Sequence, residues 1–147
     1  GNSDVEQKEK FDRVDDSVCA VRSALEEGIV PGAGLALYNA SKKISSDNDD
    51  NDYNTACNIV REAIVQPLIQ ILDNAGIKPE NVLKEVNDST KKNYGYDVKN
   101  EKFGDLFKLG VIDPLKVTKN ALINSSSVAS TILSTNAIVT HARINQD

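Results

Sequence analysis

The fold is decided by the stretch Glu26-Glu27-Gly28-Ile29-Val30-Pro31-Gly32-Ala33-Gly34. Gly28 stands where a residue of positive φ ends a helix, because glycine adopts that conformation without a steric penalty. Residues 29–31 then leave the helix in an extended conformation. The three small residues 32–34 predict a tight turn with almost bare backbone before Leu35. The stretch therefore predicts a turn that joins two helices and lets a ligand reach the main chain.

A long amphipathic helix is predicted before this stretch, over residues 4–27. Ser3 and Glu6 have the spacing of a capping box, in which each side chain accepts a hydrogen bond from the other's backbone. Apolar residues recur at alternating spacings of three and four, and they form one apolar seam along the helix: Phe11, Val14, Val18, Val21 and Leu25. Both ends of this helix are therefore marked in the sequence.

Further helices are predicted after the stretch. Residues 41–52 are polar and acidic, which is typical of a solvated surface connection. Residues 53–75 return to a helical periodicity that Pro67 should break or kink. Pro79 opens a short helix, because proline is favoured in the first turn, and this helix runs to about Val86.

The remaining pattern adds a little β structure. Residues 94–98 and 103–105 predict two short strands of a hairpin. Asp113 is predicted to be the N-cap of a long helix that begins at Pro114. Residues 137–142 have strand propensity and would need a partner strand from elsewhere. The predicted fold class is mainly α, with a small β-hairpin and a C-terminal strand.

Composition limits the class of protein. The chain has 147 residues, 39% of them apolar, and a formal charge of −5 from 17 basic and 22 acidic residues. The length predicts one folded domain with room for an appendage, and the acidic balance argues against nucleic acid or an anionic membrane as the main partner. No apolar stretch reaches the roughly 20 residues of a membrane span. Two cysteines, Cys19 and Cys57, are too few for a disulfide framework or a zinc site, which suggests a reducing compartment.

The sequence lacks the residues that several kinds of catalytic and binding site require. The single histidine, His141, lies near the end of the chain, so we expect no catalytic triad. No glycine-rich phosphate-loop motif is present. The sequence also contains no methionine, and we expect the chain to be a piece of a longer protein.

An acidic cluster resembles the start of an EF-hand loop, with Asp47, Asp49 and Asn51 at the first three ligand positions. The loop also needs glycine at its sixth position and glutamate at its twelfth. Asp52 and Asn58 occupy those positions. The cluster is therefore interpreted as a solvated linker.

Three other features have both a structural and a functional interpretation. Asp16 lies about opposite the apolar seam, and it is either part of a solvated acidic face or a carboxylate that polarises a water molecule. The turn 32–34 is either only a connection or a place where a ligand contacts the backbone. Asp113 is either only a helix cap or also a ligand contact.

Four blocks of sequence, in this order and spacing, resemble the C-terminal portion of the GroEL-type (group I) chaperonins. They are Arg13-Val14-Asp15-Asp16, Glu26 to Gly34, Asn93-Tyr94-Gly95-Tyr96, and Gly110-Val111-Ile112-Asp113-Pro114-Leu115-Lys116-Val117. The resemblance implies that residues 1–34 belong to the intermediate domain. It implies that residues 35–147 form the C-terminal half of the equatorial ATPase domain.

The resemblance also implies roles for individual residues. Asp16 falls on the catalytic carboxylate, and Asp113 falls on the aspartate that binds the ribose of ATP. Ala33 falls on the middle glycine of a turn that contacts the nucleotide. The residues that line the adenine fall on Asp97, Val98 and Lys99. Ala33 departs from the family's glycine, and Asp97 departs from an asparagine, which removes an amide donor.

The function that the resemblance implies is that of an ATP-dependent chaperone, which assists protein folding in a homo-oligomeric ring with ATP and magnesium as cofactors. The phosphate loop and the magnesium-binding aspartate of the family have no counterpart in this chain, so the chain alone is expected to be inactive. A co-chaperonin and unfolded polypeptides would bind through absent domains. The expected location is the bacterial cytoplasm or an organelle matrix. The alternative from the residues alone is a non-enzymatic helical protein-interaction domain.

Overall fold

A computed structural model describes residues 3–140 of the chain. These residues form six helices and four short strands, so the predicted mainly α fold with a β-hairpin is confirmed. In chain order the elements are α1 (Asp4–Glu27), β1 (Ile29–Pro31), α2 (Leu35–Ser41), α3 (Asn51–Ala63), α4 (Gln66–Asn74), α5 (Pro79–Asp88), β2 (Tyr94–Asp97), β3 (Lys102–Asp105), β4 (Ile112–Pro114) and α6 (Leu115–Leu133).

Helix α1 begins and ends where its sequence predicts. The Ser3 hydroxyl accepts a hydrogen bond from the Glu6 backbone N–H at 3.3 Å. Gly28 has a φ of 87°, and its N–H donates to the Ala24 carbonyl at 2.8 Å. The apolar seam, however, is not buried within this chain, since even its least exposed member, Val18, is 44% exposed. The helix is therefore held by its C-terminal end and not by its apolar face.

The core lies among α2, α4, α5 and the segment after β3. Its buried members are Leu35, Tyr38, Leu68, Leu72, Val82, Val86 and Leu106. The Tyr38 hydroxyl donates to Asn87 Oδ1 at 2.7 Å, which satisfies the polar end of this buried ring. Because Leu35 is the first residue of α2, the core fixes the position of the turn that precedes it.

Two antiparallel strand pairs complete the fold. Strands β2 and β3 form the predicted hairpin, with Tyr96 opposite Phe103. Strand β1 pairs with β4, which places Val30 opposite Asp113. The predicted N-cap role of Asp113 is therefore wrong: this pairing extends the backbone through Pro114, which is the residue that caps α6. The Leu115 N–H donates instead to the Gly28 carbonyl at 3.0 Å.

Helix α6 packs beside the C-terminal half of α1. The side chains of α1 that are half-buried there are small and lie opposite the apolar seam: Ala20, Ser23 and Ala24. Lys116 pairs with Glu26, and Lys119 pairs with Glu27. The two helices are thus joined through small residues and two exposed ion pairs.

The predicted helix over residues 53–75 is broken, as Pro67 requires, into α3 and α4. An apolar groove of about 470 Å³ runs between α3 and α6, with Val60 and Ala121 among its lining residues. Residues 137–140 form no strand, so that part of the predicted C-terminal strand is wrong. Its last residues, and His141, lie outside the described residues. Among residues 3–140, every helix is too short or too polar to cross a membrane.

Candidate functional site

The turn at residues 32–34 is fixed from both sides. The Gly32 N–H donates to the Val111 carbonyl at 2.9 Å, next to strand β4. On the other side, a Cβ atom on Gly34 would lie only 2.7 Å from the Leu68 nitrogen in α4. The chain can pass this closely only without a side chain at Gly34, whose φ is 74°. The turn is therefore held rigidly between β4 and α4.

Ala33, at the centre of this turn, has a φ of 53°. In this left-handed region the Cβ atom crowds the following carbonyl oxygen, which costs roughly 1–2 kcal/mol. The sequence alone does not decide between a negative and a positive φ here, and the structure assigns the strained one. Ala33 therefore keeps the backbone conformation of a glycine while carrying a methyl group.

Asp113 lies directly beside the turn. One of its carboxylate oxygens, Oδ1, is 3.3 Å from the point where a Cβ atom on Gly32 would stand. Burial raises the pKa of the Asp113 carboxyl, since the charged form loses part of its hydration. Among residues 3–140 the structure gives this side chain no hydrogen-bond donor. A half-buried acceptor without a donor suits the hydroxyl groups of a ligand.

The Asp97 carboxylate accepts hydrogen bonds within its own hairpin turn. Its side chain is buried at the end of β2, where Oδ1 accepts hydrogen bonds from the backbone of Lys99 at 3.0 Å and of Asn100 at 3.2 Å. Oδ2 accepts from Asn100 Nδ2 at 2.6 Å. The hydrogen bond from the Asn100 side chain is the main cause that lowers the Asp97 pKa. Both carboxylate oxygens thus serve the hairpin turn.

The hairpin and the glycine turn share one core. A Cβ atom on Gly95 would lie 2.9 Å from Leu106 and 3.0 Å from Leu35, so β2 packs tightly where α2 begins. Val98 packs against the same core, and Lys99 is exposed. The residues predicted to line the adenine therefore lie at a hairpin that packs against the same core as Ala33.

Asp16 is not brought to these residues. It is exposed on α1, and with a rise of about 1.5 Å per residue it stands about 18 Å before Gly28 along the helix axis. At about 100° per residue it lies on the same side as Ala20 and Ser23, which is the side that faces α6. Asp16 therefore points away from the apolar seam.

The ion pairs between α1 and α6 were not foreseen from the sequence, although a signal for them exists. Glu26 and Glu27 lie at the C-terminal end of α1, and Lys116 and Lys119 lie at the start of α6, so each charge opposes the dipole of its own helix. A charge that the dipole of its own helix disfavours is stabilised by an opposite charge on a neighbouring helix. The neighbouring Glu26 accordingly raises the pKa of Lys116.

Metal binding has no visible basis in the part of the chain that the structure covers, since residues 3–140 contain no group of three or more His, Cys, Asp or Glu side chains that would hold an ion. The candidate site instead consists of the turn at residues 32–34, the Asp113 carboxylate beside it, and the more distant Asp16 carboxylate on α1.

Comparison with known proteins gives one consistent result. A family model described as the TCP-1/cpn60 chaperonin family matches residues 1–143. "Chaperonin homolog Hsp-60, mitochondrial" of Caenorhabditis elegans is 46% identical over 143 residues, which cover 95% of this chain and 25% of that protein. "Chaperonin GroEL" of Orientia tsutsugamushi is 44% identical over 141 residues, with the same two shares. The chain spans about a quarter of the length of these curated relatives.

Proposed function

The chain belongs to the TCP-1/cpn60 chaperonin family, and from this we propose that it supplies one side of the nucleotide site of an ATP-dependent chaperone. The observation that carries the proposal is the approach of Asp113 to the turn at Gly32. It places an acceptor carboxylate on β4 beside a bare backbone that directly follows β1, the strand paired with β4. The phosphate and magnesium ligands would come from sequence outside this chain.

The described residues fit a nucleoside. Ribose hydroxyls would donate to the Asp113 carboxylate, which has no donor of its own among residues 3–140 and is partly removed from water. The backbone of Ala33 would contact the nucleotide, since its methyl group leaves most of the turn uncovered. Binding of this kind orients the ligand and contributes positioning rather than chemistry.

The adenine edge would be read by the backbone at Val98 and Lys99. Both carboxylate oxygens of Asp97 already accept hydrogen bonds within the turn, three in all. Its contribution is to fix the conformation of that backbone. The replacement of the family's asparagine by Asp97 would then cost less in nucleotide affinity than the loss of an amide donor implies.

Asp16 would act as the general base, orienting and polarising the water molecule that attacks the γ-phosphate. A bound nucleotide would supply the phosphoanhydride bond that is broken, and magnesium held by residues outside this chain would neutralise its charge. Asp16 stands about 18 Å along α1 from the ribbon, so it requires a movement of α1 about its C-terminal end. Such a movement would begin at Gly28 and would have to change the packing of α1 on α6, including the pairs Lys116–Glu26 and Lys119–Glu27.

The wider assignment follows the family. Residues 1–34 would belong to the intermediate domain and residues 35–147 to the equatorial ATPase domain of a homo-oligomeric ring. Unfolded polypeptides and a co-chaperonin would bind to domains outside this chain. The two relatives, one mitochondrial and one bacterial, support the bacterial cytoplasm or an organelle matrix as the location.

Single-turnover hydrolysis by a full-length polypeptide that contains this chain tests the proposal. Asp16→Ala should slow hydrolysis by roughly 10²-fold or more and leave the ATP binding isotherm almost unchanged, because a general base acts on the chemical step. Asp12→Ala, on the same helix, is the matched control and should change neither quantity. An unchanged hydrolysis rate in the Asp16 variant would refute the assignment.

A further inference from the structure

The hairpin turn between β2 and β3 is closed by the side chains of Asp97 and Asn100. The strands end with Asp97 opposite Lys102, so residues 98–101 make the turn. Oδ1 of Asp97 accepts hydrogen bonds from the Lys99 and Asn100 backbone N–H groups, and Oδ2 accepts one from Asn100 Nδ2 at 2.6 Å. Asn100 is therefore joined to Asp97 through both its backbone and its side chain.

The last residue of this turn is strained. Glu101 has a φ of 50°, a left-handed conformation in which the Cβ atom crowds the following carbonyl oxygen. A strained conformation persists only where its surroundings fix it, and such residues cluster at functional sites. The strained residue directly follows Asn100, whose bonds to Asp97 fix the turn. This arrangement indicates that the shape of the turn has a role beyond joining two strands.

The two side chains are matched in their hydrogen-bonding chemistry. A carboxylate only accepts, and Asp97 meets donors on both of its oxygens. The Asn100 amide supplies one of these donors and is the main cause that lowers the Asp97 pKa, so Asp97 stays ionised at neutral pH. A carboxylate at position 100 would face a second carboxylate. An asparagine at position 97 would be tolerated, because the Asn100 amide can rotate and accept instead.

The turn is connected to the candidate site through the core. Val98 packs against the same core as Ala33. Gly95, on the strand that leads into the turn, closely approaches Leu35 at the start of α2. The side chains of Asp97 and Asn100 are engaged with each other, so the turn presents its backbone to a ligand. Loss of their pairing would change the shape of this backbone while the core beneath it stays in place.

We infer that Asn100 is a positioning residue for the nucleobase: paired with Asp97, it holds the backbone of residues 98 and 99 in the conformation that meets adenine. The inference rests on the proposed function, which assigns this backbone to the base. Asn100 acts through Asp97 and not by touching the nucleotide, since its amide donates to the Asp97 carboxylate. It therefore contributes to affinity for the base, and not to the ribose and phosphate contacts that all nucleoside triphosphates share.

Equilibrium titration of a full-length polypeptide that contains this chain, with ATP and separately with GTP, tests the role. Asn100→Asp should raise the dissociation constant for ATP about tenfold, because a repulsion replaces a charge-assisted hydrogen bond. The constant for GTP should change little, since the ribose and phosphate contacts are untouched. A general loss of stability would weaken the binding of both nucleotides by the same factor, and that result would overturn the inference.

Reversal of the pair tests the matching. In the double variant Asp97→Asn with Asn100→Asp, the amide at position 97 can donate to the carboxylate at position 100, and the net charge is that of the wild type. The constant for ATP should return to within a few-fold of its wild-type value. Asp97→Asn alone should have a small effect. A double variant that binds ATP no better than the single Asn100→Asp variant would overturn the pairing.

The matched control is Asn81→Asp. It adds the same charge as Asn100→Asp, at an exposed position in the first turn of α5, where the helix dipole favours a carboxylate. Both dissociation constants should stay at their wild-type values. A loss of ATP affinity in this variant equal to that of Asn100→Asp would attribute the effect to charge alone and overturn the positioning role.

Hydrogen–deuterium exchange without nucleotide separates this inference from the proposed function. The Lys99 and Asn100 amides should exchange about tenfold faster in Asn100→Asp than in the wild type, because both N–H groups donate to Asp97. Unchanged exchange would overturn the pairing, whether or not the polypeptide binds a nucleotide. A wild-type polypeptide that binds neither nucleotide would refute the proposed function, and with it the positioning role.

Discussion

Oδ1 of Asp113 lies 3.3 Å from the point where a Cβ atom would stand on Gly32. The same point is 3.2 Å from the Ile112 nitrogen and 3.2 Å from the Val111 carbonyl carbon. A side chain at Gly32 would therefore press on the backbone of β4 as well as on the carboxylate. The absence of a side chain at this position is what allows the acidic residue and the turn to share one ribbon.

Gly34→Ala should destabilise the chain much more than Gly110→Ala, although both glycines have nearly the same positive φ. The new methyl group at Gly34 would lie 2.7 Å from the Leu68 nitrogen and 2.9 Å from its Cα, whereas Gly110 has open space. We expect a loss of about 3 kcal/mol or more at Gly34 and about 1 kcal/mol at Gly110. Urea unfolding measures both, and equal losses would show that the close approach to Leu68 is not rigid.

Ala33→Gly should stabilise the chain by about 0.5–1 kcal/mol. Glycine removes the strain of a φ of 53°, and this gain exceeds the entropy that glycine loses on folding. Ala56→Gly, at an exposed position in the middle of α3, is the matched control and should destabilise by about 1 kcal/mol. Thermal unfolding of both variants measures these changes in stability. A loss of stability in the Ala33 variant would contradict the left-handed conformation.

Asp113→Asn should raise the melting temperature at pH 7. Burial raises the folded-state pKa of Asp113 above its unfolded value, so the protonated form is favoured in the folded chain. The wild-type chain therefore loses stability as the pH rises from the unfolded pKa through the folded pKa. The difference between variant and wild type should vanish below about pH 3.

The matched control is Asp73→Asn at an exposed position of α4, which should leave the melting temperature at pH 7 almost unchanged because no charge is buried there. A difference for Asp113 that persists at pH 3 would indicate another cause. In a full-length polypeptide the same Asp113 variant should also weaken nucleotide binding, because an amide is a poorer acceptor for ribose hydroxyls than a carboxylate.

The purified chain should not hydrolyse ATP. Phosphoryl transfer depends on positioning and charge neutralisation, and the phosphate and magnesium ligands are expected outside these residues. Asp16 without a fixed γ-phosphate then contributes little. A coupled phosphate-release assay with magnesium is the measurement, and hydrolysis that disappears in Asp16→Ala would contradict this expectation.

The sequence predicted those elements whose signals are local. Ser3 and Gly28 mark the two ends of α1, and Pro79 opens α5, because capping depends on residues only a few positions apart. The hairpin of β2 and β3 was predicted for the same reason. Pro67 correctly indicated a broken helix, although the break lies just before it, at residues 64 and 65.

The pairing of distant segments was not predictable in this way. Asp113 has the sequence of a helix cap, but Val30 draws it into a strand, and no local pattern records that contact. Ala33, with its positive φ, likewise lies in a turn that is held between Val111 and Leu68, two residues distant in sequence. The sequence correctly predicted the apolar seam of α1. It did not predict that α6 would pack on α1 while the seam stays exposed among the described residues.

The β1–β4 ribbon has a kinetic consequence. It joins Val30 to Asp113, while the hairpin joins Tyr96 to Phe103, so the ribbon must close a far longer loop. The entropy of loop closure delays such contacts until the intervening chain has collapsed. During refolding, the hairpin should acquire amide protection first and the ribbon last. The candidate site would then be assembled only in the final step, so that a chain interrupted earlier presents no half-formed nucleotide pocket.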